Sequence, residues 1–123
     1  MATVLIIDKE SEKISEQFKL TKGIFTSSAQ SIDDAKSFLE SDQFDVLICD
    51  HYLLGDNDSF FDYCLEVQPM VANYLIINHD IDESKLNIQG VTGFLKRPIH
   101  PGQINSLSAE ELLDQREIDA LFD

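Results

Sequence analysis

The length, composition and charge of this chain exclude several classes of protein. Its 123 residues, 43% hydrophobic and 26% charged, predict one soluble domain that can bury a core. The 23 acidic side chains outnumber the 9 basic ones, and the net charge of −14 argues against binding nucleic acid. No apolar run reaches the ~18 residues of a membrane span, and the start lacks a secretory-signal pattern, so we expect a cytoplasmic protein.

Five short apolar runs predict strands, most of them buried on both faces of a sheet. In chain order these runs are residues 4–7, 24–26, 44–49, 74–77 and 91–96. They alternate with helix-like segments, as in a doubly wound parallel α/β sheet with helices on both faces.

The segments between the strands predict helices because their apolar residues recur at helical spacing. Predicted helices cover residues 11–20, a segment that Ser31 caps, a segment from Ser59 to Pro69, and residues 101–122. Residues 51–58 predict a loop. The polar stretch 80–89 predicts a short or irregular fourth helix, of one or two turns at best.

The cysteines and histidines do not form a ligand pattern. Cys49 and Cys64 each lie in an apolar stretch, which favours two buried, reduced thiols over a disulfide framework or a metal pair. The histidines also lack the close spacing of metal ligands.

Polar residues end four of the predicted strands, namely Asp8, Asp50, Asn78 and Arg97. The carboxyl ends of parallel strands meet at one edge of the sheet, where doubly wound folds bind their ligands. The sequence therefore predicts a site at that edge.

The segments VLIIDKE, FDVLICDHYLLGDND, YLIIN and GVTGFLKRPI resemble, in order and spacing, the receiver domains of two-component response regulators. The resemblance implies a CheY-like, flavodoxin-like (βα)5 domain over residues 1–113. It also implies a role in phosphorelay signalling, with Asp50 at the phosphoryl-acceptor position.

Three other site residues depart from the family pattern. Receivers end the first strand with two acids that hold Mg²⁺, where this chain has Asp8 and Lys9. They carry Ser or Thr where this chain has Asn78. They carry Lys before a proline, which the resemblance implies is cis-linked, where this chain has Arg97.

These departures bear on phosphoryl transfer, since Asp50 would be the nucleophile and the transferred charge must be met by Mg²⁺, a cation and a donor. Lys9 in place of an acid predicts a weakened Mg²⁺ site at Asp8 and Asp50, and we expect Lys9 to border the site and pair with one of them. Arg97 offers a planar fork in place of a point charge, and Asn78 an amide in place of a hydroxyl.

Three functional hypotheses follow. The first is an atypical, non-enzymatic receiver that signals through protein partners, with an impaired acceptor pocket. The second is a conventional receiver that a histidine kinase phosphorylates on Asp50. The third, a flavodoxin-like enzyme, is disfavoured because DKESEK after the first strand lacks a glycine-rich phosphate loop.

The C-terminal residues carry a second resemblance. LLDQREIDALFD is similar to the amino-terminal segment of the flagellar switch protein FliM, which binds the chemotaxis receiver CheY. In a helix, Ile118, Leu121 and Phe122 would face away from Leu112 and Leu113. We therefore expect residues 114–123 to dock as a helix on a receiver-type surface, either in this protein, within the chain or in a second copy, or in a partner such as another receiver or a chemotaxis or flagellar component. The alternative is an acidic helix end without a partner.

Overall fold

The computed structural model describes residues 2–55, 57, 59–82, 84, 86 and 88–104. The strands are β1 (Ala2–Ile7), β2 (Ile24–Ala29), β3 (Val46–Asp50), β4 (Ala72–Ile77) and β5 (Gly93–Lys96). They form one parallel sheet in the order β2-β1-β3-β4-β5. This order confirms the predicted doubly wound, flavodoxin-like α/β fold.

The described part of the chain contains four α-helices and, after β5, a 3₁₀ helix. They are α1 (Ser11–Lys19), α2 (Ile32–Ser41), α3 (His51–Leu54), α4 (Phe60–Val67) and the 3₁₀ helix Pro101–Gln103. Ser31 caps α2 as predicted, since its side chain accepts a hydrogen bond from the Asp34 amide at 3.1 Å. No described helix is long and apolar enough to cross a membrane.

The sheet carries a hydrophobic core on each face because successive strand residues point to opposite sides. Leu5 and Leu47 belong to the face that α2 and α4 cover, together with the aromatic pair Phe60 and Phe61. The opposite face contains Ile48 and residues of α1. Both faces hold fully buried aliphatic side chains, so β1 and β3 form the centre of the fold.

Helix α3 corrects the prediction that residues 51–58 form a loop. The carboxylate of Asp50, the last residue of β3, accepts hydrogen bonds from the amides of Tyr52 (2.6 Å) and Leu53 (3.3 Å). This side-chain cap satisfies amides that otherwise lack partners in a first helical turn, and it starts a helix directly after the strand.

The connection from β4 to β5 contains no α-helix in its described residues, in line with the weak helical pattern of 80–89. The end of this connection nearest β5 is held by Asn73 of β4, whose buried side chain donates a hydrogen bond to the Gly90 carbonyl at 3.1 Å. Thr92 reinforces this contact, because its amide donates to the Asn73 carbonyl at 2.7 Å.

Of the predicted helix over residues 101–122, the described residues contain a 3₁₀ turn at Pro101–Gln103, which ends at an extended Ile104. Residues 105–123, including the expected partner-binding residues Ile118, Leu121 and Phe122, lie outside the described residues.

Candidate functional site

The sheet order brings the predicted site residues to one edge. β1 and β3 are neighbours with Ile7 opposite Cys49, so Asp8 and Asp50 come next at adjoining strand ends. β4 and β5 follow in order beside β3. A cleft of about 380 Å³ opens at this edge, and its lining residues are Asp8, Lys9, Glu10, Asp50, Tyr52, Leu53 and Arg97. Asp8 and Asp50 follow β1 and end β3, the two strands between which the strand order reverses, and doubly wound folds bind their ligands at this point.

Arg97 joins the two carboxylates of the site. Its Nη2 atom donates to Oδ2 of Asp8 and, at 2.7 Å, to Oδ2 of Asp50. Asp8 is 1% exposed, so its charge needs a partner inside the protein. The guanidinium therefore supplies a charge-assisted hydrogen bond to each carboxylate.

The protonated form of Arg97 is favoured in this position. Burial lowers the pKa of the Arg97 guanidinium, but hydrogen bonding and charge from Asp8, and then from Asp50, outweigh that effect and raise the pKa above its ordinary value. Arg97 is consequently a permanent cation in the cleft.

The remaining carboxylate oxygens are also engaged. Oδ1 of Asp8 accepts from the Glu10 amide at 2.8 Å, and Oδ1 of Asp50 caps α3 through the amides of Tyr52 and Leu53. Every oxygen of the two carboxylates thus has a protein donor.

Lys9 borders the cleft as expected, but the expected ion pair with Asp8 or Asp50 is not formed. Among the described residues, both carboxylates pair with Arg97, and Lys9 is exposed. The planar guanidinium reaches both acids at once, whereas a strongly hydrated ammonium in the turn after β1 gains more from remaining in water.

Asn78 is connected to the cleft through a hydrogen bond to one of the lining residues. Its Nδ2 atom donates to the Tyr52 hydroxyl at 2.8 Å, and Tyr52 lines the cleft although its residue is 69% exposed. The next residue, His79, hydrogen bonds through Nε2 to the Arg97 carbonyl at 3.0 Å. The Arg97–Pro98 bond is cis, as the receiver resemblance implied.

Sequence reasoning missed Tyr52 and His79. Tyr52 could have been found from its place two residues after Asp50, had the helical turn that Asp50 caps been recognised. No pattern in the sequence pointed to the contact between His79 and the backbone of Arg97.

The side chains at this edge do not fit a resident Mg²⁺. Mg²⁺ prefers near-octahedral oxygen ligands, but the Arg97 guanidinium already bridges the two carboxylates and Lys9 adds a second positive charge to the cleft lining. Glu10 points its carboxylate towards Lys13, at 3.7 Å. Within the described ranges, no cluster of three or more acidic, histidine or cysteine side chains is arranged to hold a metal ion.

Comparisons with known proteins identify the fold. No protein-family model and no curated protein matches the chain. The solved structures that resemble it include NtrX from Brucella abortus in complex with ADP, with a TM-score of 0.72, 18% identity and 98% of this chain covered. A two-component response regulator from Clostridium difficile gives a TM-score of 0.71 at 20% identity, covering 94% of this chain and 98% of that one.

A third similar structure is a response regulator from Burkholderia pseudomallei that contains a phosphorylated aspartic acid, a calcium ion and citrate. Its TM-score is 0.68 at 16% identity, covering 100% of this chain and 75% of that one. This chain spans 29% of the NtrX chain. At these identities the likeness establishes the fold, which is that of CheY-like receiver domains.

Proposed function

We propose that this chain is an atypical response-regulator receiver domain of two-component signalling. It acts in the cytoplasm through contacts with partner proteins, and its phosphoryl-acceptor pocket is impaired. The observation that carries the proposal is the bridge from Arg97 to both Asp8 and Asp50.

The bridge impairs the acceptor because it engages the nucleophile. Asp50 would have to attack a phosphoryl group with a carboxylate oxygen. One oxygen is paired with Arg97 and the other caps α3, and hydrogen bonding to a carboxylate lowers the nucleophilicity of its oxygens. The proposed domain is therefore no enzyme beyond, at most, slow phosphorylation and dephosphorylation of its own Asp50.

A specific observation favours a second candidate, the conventional receiver that a histidine kinase phosphorylates. Asp50 retains the acceptor position, its side chain is 15% exposed, and it lines an open cleft that also contains the cations Arg97 and Lys9. Such cations stabilise the charge of a transferring phosphoryl group.

Treatment with acetyl phosphate and Mg²⁺, followed by intact-protein mass spectrometry, separates the two candidates. We expect little or no phosphate adduct on the natural chain. The matched control is the triple variant Lys9→Asp, Asn78→Thr, Arg97→Lys, which restores the family pattern and is expected to gain an adduct that a further Asp50→Asn change removes. A stoichiometric adduct on the natural chain, absent in Asp50→Asn, would establish the conventional receiver.

The proposed partners are a second receiver domain, a histidine kinase, a chemotaxis or flagellar component, or another copy of this chain. The similarity of LLDQREIDALFD to a CheY-binding segment supports this proposal. Residues 1–113 would form the receiver domain and residues 114–123 a separate binding tail. Ile118, Leu121 and Phe122 would be its anchors, at the spacing that helix-in-groove recognition uses.

A further inference from the structure

In the cleft, the guanidinium of Arg97 lies at the point where the carboxylates of Asp8 and Asp50 converge. A single nitrogen of Arg97 serves both Asp8 and Asp50, and Asp8 is almost completely buried. Two acids converging on one point would repel each other without a cation between them. The protein supplies that cation from its own β5 end.

We infer that Arg97 is the resident cation of this site, which excludes divalent metal ions and holds Asp50 in place as the cap of α3. The inference concerns regulation of the proposed acceptor site and rests on the proposed function for its biological meaning. A divalent ion entering between the carboxylates must displace the guanidinium or bind beside it, and like charges at that distance repel strongly.

The same contacts connect the cation to the surface. Arg97 fixes one oxygen of Asp50, and the other oxygen holds the first amides of α3. Tyr52 in that turn accepts a hydrogen bond from Asn78 at the end of β4. The bridge therefore keeps α3 and the exposed Tyr52 in one arrangement, which does not depend on metal.

A titration with Mn²⁺, followed by electron paramagnetic resonance of the free ion, tests this inference on the full chain. We expect Arg97→Gln to bind Mn²⁺ at least about tenfold more tightly than the natural chain, a difference of ~1.4 kcal/mol. Mg²⁺ should compete for the same site. It should also raise the thermal unfolding midpoint of the variant more than that of the natural chain.

The matched control is Lys9→Gln. It removes one positive charge from the lining of the same cleft without breaking an ion pair to Asp8 or Asp50. We expect a smaller gain in Mn²⁺ affinity than for Arg97→Gln. Equal gains in the two variants would mean that general charge, and not the bridge, governs binding, and would overturn the inference.

Two further outcomes keep the inference testable if Arg97→Gln fails to fold. Arg97→Lys retains a cation, but as a strongly hydrated ammonium on a flexible stem that leaves the carboxylates more readily than the guanidinium, and we expect it to bind Mn²⁺ more tightly than the natural chain. Saturable binding of one Mn²⁺ to the natural chain, with the same affinity as Arg97→Lys, would overturn the inference. The titration uses neither phosphodonor nor partner, so its failure is distinct from a failure of the proposed function.

Discussion

At the scale of single residues, Asp8 and Asp50 show how burial alters the role of a carboxylate. Asp8 is 1% exposed and pairs with Arg97, whereas the Asp50 side chain is 15% exposed and also caps a helix. Removing one partner of a buried ion pair costs more than the pair itself contributes, because the remaining charge is left without compensation. The ion pair with Asp8 thus makes the Arg97 cation a stabilising part of the fold as well as of the site.

Cys49 and Cys64 belong to the buried cluster on the α2 and α4 face, and their thiols lead to a prediction about alkaline stability. Burial raises the pKa of Cys64 to about 12. Burial, followed by the charge of Asp50, raises the pKa of Cys49 above its ordinary value. The folded chain therefore holds both protons more tightly than the unfolded chain, whose thiols ionise near pH ~8.5.

From this difference we expect the thiol contribution to stability to be complete below that pH and to be lost as pH rises towards 12. Urea unfolding at a series of alkaline pH values measures the loss. The Cys49→Ala, Cys64→Ala double variant is the control and should lose less stability over the same range. Identical slopes for the two proteins would show that other groups control alkaline unfolding.

At the scale of elements, the strands were predictable and α3 was not. Strand residues such as Ile6 and Ile48 are buried within a sheet packed on both faces, so the central strands β1 and β3 appear in the sequence as continuous apolar runs. Helix α3 spans only His51–Leu54 and starts because a carboxylate caps it. The sequence shows that Asp50 is there, but not that its side chain turns back onto the next amides.

The candidate site, like the elements, was predictable only in part: the positions of its residues could be predicted, but their pairing could not. The strand ends Asp8, Asp50, Asn78 and Arg97 could be placed at one edge because parallel strands share their direction. The pairing within the site could not be predicted, since it depends on how far each side chain reaches. Arg97 crosses from β5 to the end of β1, while Lys9, adjacent to Asp8 in sequence, stays outside the ion pairs of both acids.

The connection between β4 and β5 gives a prediction at this scale. Gly90 has a φ of +83°, and a Cβ atom there would lie 3.0 Å from Cβ of Phe61 and 3.3 Å from Cδ1 of Leu65. Gly90→Ala combines left-handed backbone strain with overpacking against α4. We expect it to lower the free energy of unfolding by ~2–4 kcal/mol, measured by urea denaturation.

Gly23 provides the matched control for that substitution. Its φ is +88°, yet a Cβ atom would meet nothing within 4 Å, so Gly23→Ala carries the backbone strain alone. We expect it to cost only ~1–2 kcal/mol. Equal losses at both positions would show that the contact between Gly90 and Phe61 does not constrain the connection.

At the scale of the whole molecule, charge determines which partners can approach. A net charge of −14 repels anionic donors and favours partners with a basic surface. The cleft lining combines acids with Lys9 and Arg97, so local charge there differs from the overall field. A protein partner can make contact with both the negative surface and the cations of the cleft. A small phosphorylated donor, in contrast, must overcome the repulsion from the net negative charge.

The C-terminal tail gives the last prediction, that residues 114–123 bind as a helix in a groove of a receiver-type surface. Ile118, Leu121 and Phe122 have i, i+3, i+4 spacing, and on a helix they face away from Leu112 and Leu113. The domain's own core could not bury both sets at once, so the anchors need a surface elsewhere.

The comparison is between the natural chain, a chain without residues 114–123, and an Ile118→Asp, Phe122→Ala variant. Oligomeric state by light scattering and binding to a CheY-type receiver by calorimetry are the measurements, and we expect both changes to reduce self-association or binding by at least about tenfold. Arg116→Gln, which alters the tail without touching an anchor, is the control and should retain association. If neither oligomeric state nor binding changes when the tail is removed, the tail is an acidic helix end and its similarity to FliM is coincidental.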